Sequence, residues 1–125
     1  MCIRDRHAGL ACFQPEALAI YEARKAEFKR RRDYIVPALE GLGFKVPVMP
    51  DGAFYVYADC SAWSDDADQL TVDILNEAGV VIVPGLDFGP STAHQYVRIS
   101  YATSMENLQE AVRRLRVFHE QHVRS

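Results

Sequence analysis

The chain has 125 residues and a mass of 14.1 kDa, the length of one domain, and a chain of this size buries roughly two-thirds of its unfolded surface without help from disulfides. Hydrophobic residues make up 49% and charged residues 25%, which excludes wholesale disorder, and no apolar run approaches the roughly 20 residues of a membrane span. The net charge of −3 and pI of about 5.8 give no general nucleic-acid footprint, and three cysteines (Cys2, Cys12, Cys60) without C-x-x-C spacing argue against a disulfide framework or structural zinc and fit a reducing, cytoplasmic compartment.

Met1 to Arg6 has neither the apolar stretch nor the small-residue cleavage site of a signal peptide. It resembles a translated sequencing-adapter remnant, so residues 1–6 are expected to be a non-native tail; the alternative is a short disordered native one. Residues 15–42 read as one long helix. Pro15 suits the first helical position, and Leu18, Tyr21, Phe28, Ile35, Leu39 and Leu42 recur at helical spacing. Pro37 should kink or divide this helix, and Gly41 and Gly43 should stop it. Arg30-Arg31-Arg32 reads as a solvated face balanced by Glu27 and Asp33 rather than as a nucleic-acid patch.

Two short strands are expected next, Phe44 to Val46 and Ala53 to Tyr57, separated by the turn signal Pro50-Asp51-Gly52. Asp65 or Asp66 can cap a helix whose buried stripe is Leu70, Ile74, Leu75 and Ala78, ended by Gly79. Val80 to Val83 is an apolar strand, Leu86 to His94 a loop carrying Gly89-Pro90, and Tyr96 to Tyr101 the last strand. Thr103 and Glu106 form a capping box for a final helix with Leu108, Ala111, Val112, Leu115 and Phe118 facing inward. The order α-β-β-α-β-β-α predicts an α+β two-layer sandwich: a small, mostly antiparallel sheet with helices packed on one face.

Among residues that carry chemistry, Arg98 stands out. Strand alternation puts Tyr96, Arg98 and Ser100 on one face and Val97, Ile99 and Tyr101 on the other. A planar, permanent cation on a rigid strand suits bidentate capture of a carboxylate, a contact worth on the order of 1.5–3 kcal/mol. The bland alternative is a surface arginine paired with an acid, worth about 0–1 kcal/mol. Gly52 allows a sharp turn or a close ligand approach, and Phe54 and Tyr55 point to opposite faces, one toward a pocket and one toward the core; an ordinary hairpin turn would look the same. The glycine-punctuated stretch Val83-Pro84-Gly85 to Phe88-Gly89 could shape a pocket beside the arginine strand. His119 and His122 read as a solvated helix tail, no metal site is expected, and Cys60 and Ser61 have no base beside them.

Arg31-Arg32-Asp33, Pro50-Asp51-Gly52-Ala53-Phe54-Tyr55, Val83-Pro84-Gly85-Leu86-Asp87-Phe88-Gly89 and Tyr96-Val97-Arg98-Ile99-Ser100-Tyr101-Ala102, in this order, resemble the C-terminal part of class I/II aminotransferases, the aspartate-aminotransferase-like enzymes of fold type I. The resemblance implies a long connecting helix at residues 7–42 and a small C-terminal domain at 43–125. It implies an enzyme moving an amino group between an amino acid and a 2-oxo acid, with pyridoxal 5′-phosphate as the electron sink and a homodimeric parent. Arg98 inherits the role of binding the substrate α-carboxylate, and Gly52, Phe54 and Tyr55 fall where the family borders its cleft. The family's Schiff-base lysine and cofactor-binding residues belong to a large domain that precedes this segment. Lys25, Lys29 and Lys45 lie outside the lysine motif, so the chain reads as a fragment, inactive by itself, with its cofactor-binding residues unknown. The rival expectation is a free-standing α+β domain that binds amino acids or regulates without catalysis.

Overall fold

The computed structural model describes residues 3–88 and 93–122. In chain order the elements are α1 (Ile3–Ala11), α2 (Pro15–Glu40), β1 (Tyr55–Asp59), α3 (Ala67–Asp73), β2 (Val83–Pro84), β3 (Tyr96–Ser100) and α4 (Met105–His122). Residues up to Arg30 form one compact unit and those from Arg31 onward another.

In the first unit, α1 buries none of its residues. Leu18, Ile20 and Tyr21 of α2 are exposed as well. Lys25 pairs with Glu22 and Arg30 with Glu27, each three residues apart on α2.

The second unit holds the core. The last turns of α2 bury Ile35, Val36 and Leu39. Pro37 does not divide α2, because its own carbonyl still accepts from Gly41 N–H at 2.9 Å and the helix ends within one turn of it. The stop is Gly43, at φ +98°, which lets Phe44 N–H reach back to Leu39 O at 3.2 Å.

The sheet is antiparallel and α+β in context, with strand order β1-β3-β2. The element order corrects the expected one. Phe44 to Val46 is not a strand: only Lys45 bridges to Asp59, while Phe44 turns into the core beside Trp63 (ring centroids 4.5 Å apart). The apolar run at Val80 contributes only Val83–Pro84, as an edge strand. Pro84 has no N–H to extend the ladder, and Val81 is exposed. β1 begins at Tyr55 rather than Ala53, because Ala53 sits at φ +64°, outside the extended region.

Asp66 caps α3 through a bond from Gln69 N–H to Oδ1 (3.1 Å). A π-turn over Ile74–Ala78 then adds a residue to the helical repeat, so Ile74 is buried but Leu75, expected in the stripe, is exposed. α4 starts one residue later than the sequence suggests. Ser104, not Thr103, accepts from Asn107 N–H (3.3 Å), and Thr103 instead accepts from the Asn107 side chain. Leu108, Val112, Leu115 and Phe118 form the buried face of α4. Burial alternates along both long strands: Val56, Ala58, Val97 and Ile99 join the core, leaving the opposite sheet face for polar and aromatic residues.

Candidate functional site

Arg98 lies on the central strand, directly opposite Tyr57 of β1 on one side and Val83 of β2 on the other. Residues directly opposite in an antiparallel ladder share a face, so Tyr55, Tyr57, Tyr96, Arg98 and Ser100 form one surface on the side away from the core. The Arg98 guanidinium carbon is 5.4 Å from the centroid of the Tyr55 ring. Such a contact contributes about 0.5–1 kcal/mol and engages the cation through its charge, while bidentate capture of a carboxylate uses its N–H donors. Beside it the Tyr57 and Tyr96 rings stack at 4.9 Å and 7°. Burial, then Tyr96 and Cys60, push the Tyr57 phenol above its usual range, so it stays a neutral donor and acceptor at physiological pH.

Gly85 closes one side. A β-carbon there would lie 2.6 Å from Ala93 O, 2.7 Å from the Tyr57 hydroxyl and 2.8 Å from Tyr96 O, so the chain packs against this backbone without room for any side chain. Residues Gly85–Phe88 form a short 3₁₀ turn; Gly89 and Pro90 lie outside the described residues.

The Pro50 to Tyr55 segment departs from expectation in two ways. Gly52 has open space around it and no positive φ; the left-handed residue is Ala53. An alanine there costs about 1–2 kcal/mol, which the surroundings must offset. Neither Phe54 nor Tyr55 packs in the core, because the turn carries both rings out of it; they meet edge-to-face with centroids 5.6 Å apart.

The turn is held through its carbonyls. Arg32 Nη1 donates to Pro50 O (2.9 Å), while its Nε and Nη2 both donate to Asp33 Oδ1. The Tyr101 hydroxyl donates to Ala53 O (3.2 Å) and more distantly to Gly52 O (3.4 Å), and Tyr101 N–H donates to Phe54 O (2.8 Å). Burial raises the Tyr101 phenol, an effect opposed by the Arg32 charge. Neither role was visible in the sequence. Spacing leaves Arg32 on a solvated face, although the side chain is only 17% exposed, and gives Tyr101 to the core alone. The signal that singles them out is the resemblance, whose motifs contain both Arg32 and Tyr101; their approach to the Pro50 turn is made only by folding.

Other groups do not extend the site. A cleft of about 310 Å³ is lined by Glu77, Arg113, Arg114 and Phe118 among others, and one of about 440 Å³ by Phe44, Lys45 and Asp59 among others; neither includes Arg98. His122 stacks on Phe118 and its Nε2 is 2.9 Å from Glu77, while the His119 ring packs against Trp63. Among the described residues no three His, Cys, Asp or Glu side chains converge as metal ligands, and no helix is long and apolar enough to cross a membrane. Cys60 is fully buried, and burial pushes its thiol up to about 11. At about pH 8 an alkylating reagent should therefore modify the exposed Cys12 and spare Cys60; comparable labelling of the two, read by peptide mass spectrometry, would contradict this burial.

Residues 8–115 match the family model described as aminotransferase class I and II. The chain belongs to this aminotransferase family. It is 35% identical over 108 residues to a valine–pyruvate aminotransferase of Mycobacterium tuberculosis, covering 86% of this chain but 28% of that protein. The crystal structure of an aminotransferase from Mycobacterium tuberculosis superposes with a TM-score of 0.85 at 34% identity, covering 91% of this chain and 30% of the other. The structure of aspartate aminotransferase from Thermus thermophilus with maleate gives 0.73 at 42% identity, covering 81% and 25%. The aminotransferase segment thus spans under a third of the length of these relatives.

All three lysines are exposed: Lys25 and Lys29 on α2, and Lys45 at the bridge to Asp59. A lysine that forms an imine needs a desolvated setting or a neighbouring cation, and none of the three is buried. What the aminotransferase segment does carry is a rigid sheet face with a cation at its centre.

Proposed function

We propose that this chain is the substrate-carboxylate-binding portion of a pyridoxal-phosphate-dependent aminotransferase that moves amino groups between amino acids and 2-oxo acids, with Arg98 binding the α-carboxylate. The observation that carries the reading is Arg98 at the middle of the central strand, its guanidinium against the Tyr55 ring and its neighbours Tyr57 and Tyr96 stacked beside it. A strand offers a more exact platform than a loop, and a fork held at one orientation binds a planar carboxylate with less ordering cost. Fixing the carboxylate would orient the rest of the substrate and so contribute through proximity. Family membership supports the reaction class, and the maleate-bound relative supports recognition of a carboxylate ligand within the family. In this reading the cofactor is held by residues outside this 125-residue segment, so the chain alone is inactive, and the parent is a cytoplasmic homodimer.

The kinetic test is made in the full-length enzyme. Arg98→Ala should raise KM for amino acid and 2-oxo acid together and lower kcat/KM by about ten- to a hundredfold, the equivalent of losing a charge-assisted pair. An unchanged kcat/KM would remove Arg98 from the site.

A further inference from the structure

We propose that Arg32 is a positioning residue for substrate binding: acting through the Pro50 carbonyl at the start of the turn, it helps fix Tyr55 beneath the Arg98 guanidinium. The inference rests on the reading of Arg98 as the carboxylate-binding group and adds a residue that never touches substrate.

The turn cannot hold its shape by local preference, because Ala53 occupies a left-handed conformation that a residue with a side chain rarely adopts. Something outside the turn must set it. Three groups do, Ser100 through a long bond to Phe54 O (3.4 Å) and two others from different elements. Arg32 reaches from α2 to Pro50 O at the start, and Tyr101, just past β3, takes Ala53 O and Phe54 O at the end. Arg32 is itself oriented: Asp33 Oδ1 accepts from Nε and Nη2, which leaves Nη1 directed at Pro50 O. Its planar fork meets two acceptors at once, something a lysine cannot reproduce. The next residue after the clamped segment is Tyr55, whose ring meets Arg98. Loosening the Pro50 end therefore lets Ala53 relax toward ordinary dihedrals, and that rotation carries Tyr55 away from the guanidinium.

The experiment is a double-mutant cycle in the full-length enzyme, with KM and kcat for both substrates and the melting temperature of each variant. Arg32→Gln should raise both KM values about tenfold with kcat within about twofold. In an Arg98→Ala background the same substitution should raise them no further, because its effect passes through Arg98. Arg32→Lys, which keeps a donor for Pro50 O, should recover part of the loss. If Arg98→Ala raises KM but Arg32→Gln does not, the positioning role is overturned while the reading of Arg98 stands. An equal additional rise in the Arg98→Ala background, or a lowered melting temperature with KM unchanged, overturns it as well and leaves Arg32 a purely structural residue. If Arg98→Ala itself leaves both KM values unchanged, the Arg98 reading fails and this inference with it.

Discussion

Gly85→Ala should be among the most damaging one-carbon changes in the sheet-bearing unit, destabilising it by about 3 kcal/mol. The added carbon would fall 2.6 Å from Ala93 O and 2.8 Å from Tyr96 O, and both are backbone atoms that cannot turn aside. The third neighbour, the Tyr57 hydroxyl at 2.7 Å, belongs to a ring stacked on Tyr96, so moving it breaks that stack. Relieving the clash at Tyr96 or Tyr57 shifts a residue next to Arg98: Tyr96 is two positions before it and Tyr57 lies opposite it on β1. The substitution should therefore lower the urea midpoint at unchanged m-value, and in the full-length enzyme also raise KM. A loss below about 1 kcal/mol would mean that the Ala93 to Tyr96 backbone does not lie this close to Gly85.

The second large effect is expected at Tyr101. It is the bulkiest of the fully buried side chains, and truncation to alanine should remove about 3–5 kcal/mol through the cavity it leaves. Tyr101→Phe separates packing from hydrogen bonding. It keeps the ring and deletes the hydroxyl that serves Ala53 O and Gly52 O, so it should cost about 1 kcal/mol, with additional turn disorder because Ala53 loses one of its restraints. Comparable losses in the two variants would place the energetic weight on the turn rather than on the core. A Tyr101→Phe variant as stable as the parent would show that the hydroxyl contacts do not hold Ala53.

The contrast between these two positions marks what could be read from the sequence. Periodicity identified β3 and α4 because each buries a regular stripe, Val97 and Ile99, and Leu108 to Phe118; in α2 only the last turns do so, through Ile35 and Leu39, while Leu18 and Tyr21 of the expected stripe are exposed. It also separated the face of Arg98 from the face of Val97 and Ile99, since alternation in a strand is a matter of geometry alone. It failed where a long-range contact overrode local preference. Phe44 left the strand pattern to pack on Trp63, Leu75 left its stripe because of a π-turn, and the run from Val80 to Ile82 stays off the ladder although β3 continues through Ile99 and Ser100. At the site, the motif around Gly52 was visible but its mechanics were not. The strained residue is the neighbouring alanine, and the groups that hold it, Arg32 and Tyr101, are 21 and 48 positions away in the chain. The tight place for a glycine is Gly85, whose need for hydrogen in place of a side chain depends on three partners brought together only by folding.

The most direct measurement is a calorimetric titration of the full-length enzyme and its Arg98→Ala variant with a dicarboxylate such as maleate, the ligand in the Thermus thermophilus relative's structure. The account predicts that the variant binds at least about tenfold more weakly, with its melting temperature little changed. Equal affinities would contradict a carboxylate held by the central-strand guanidinium.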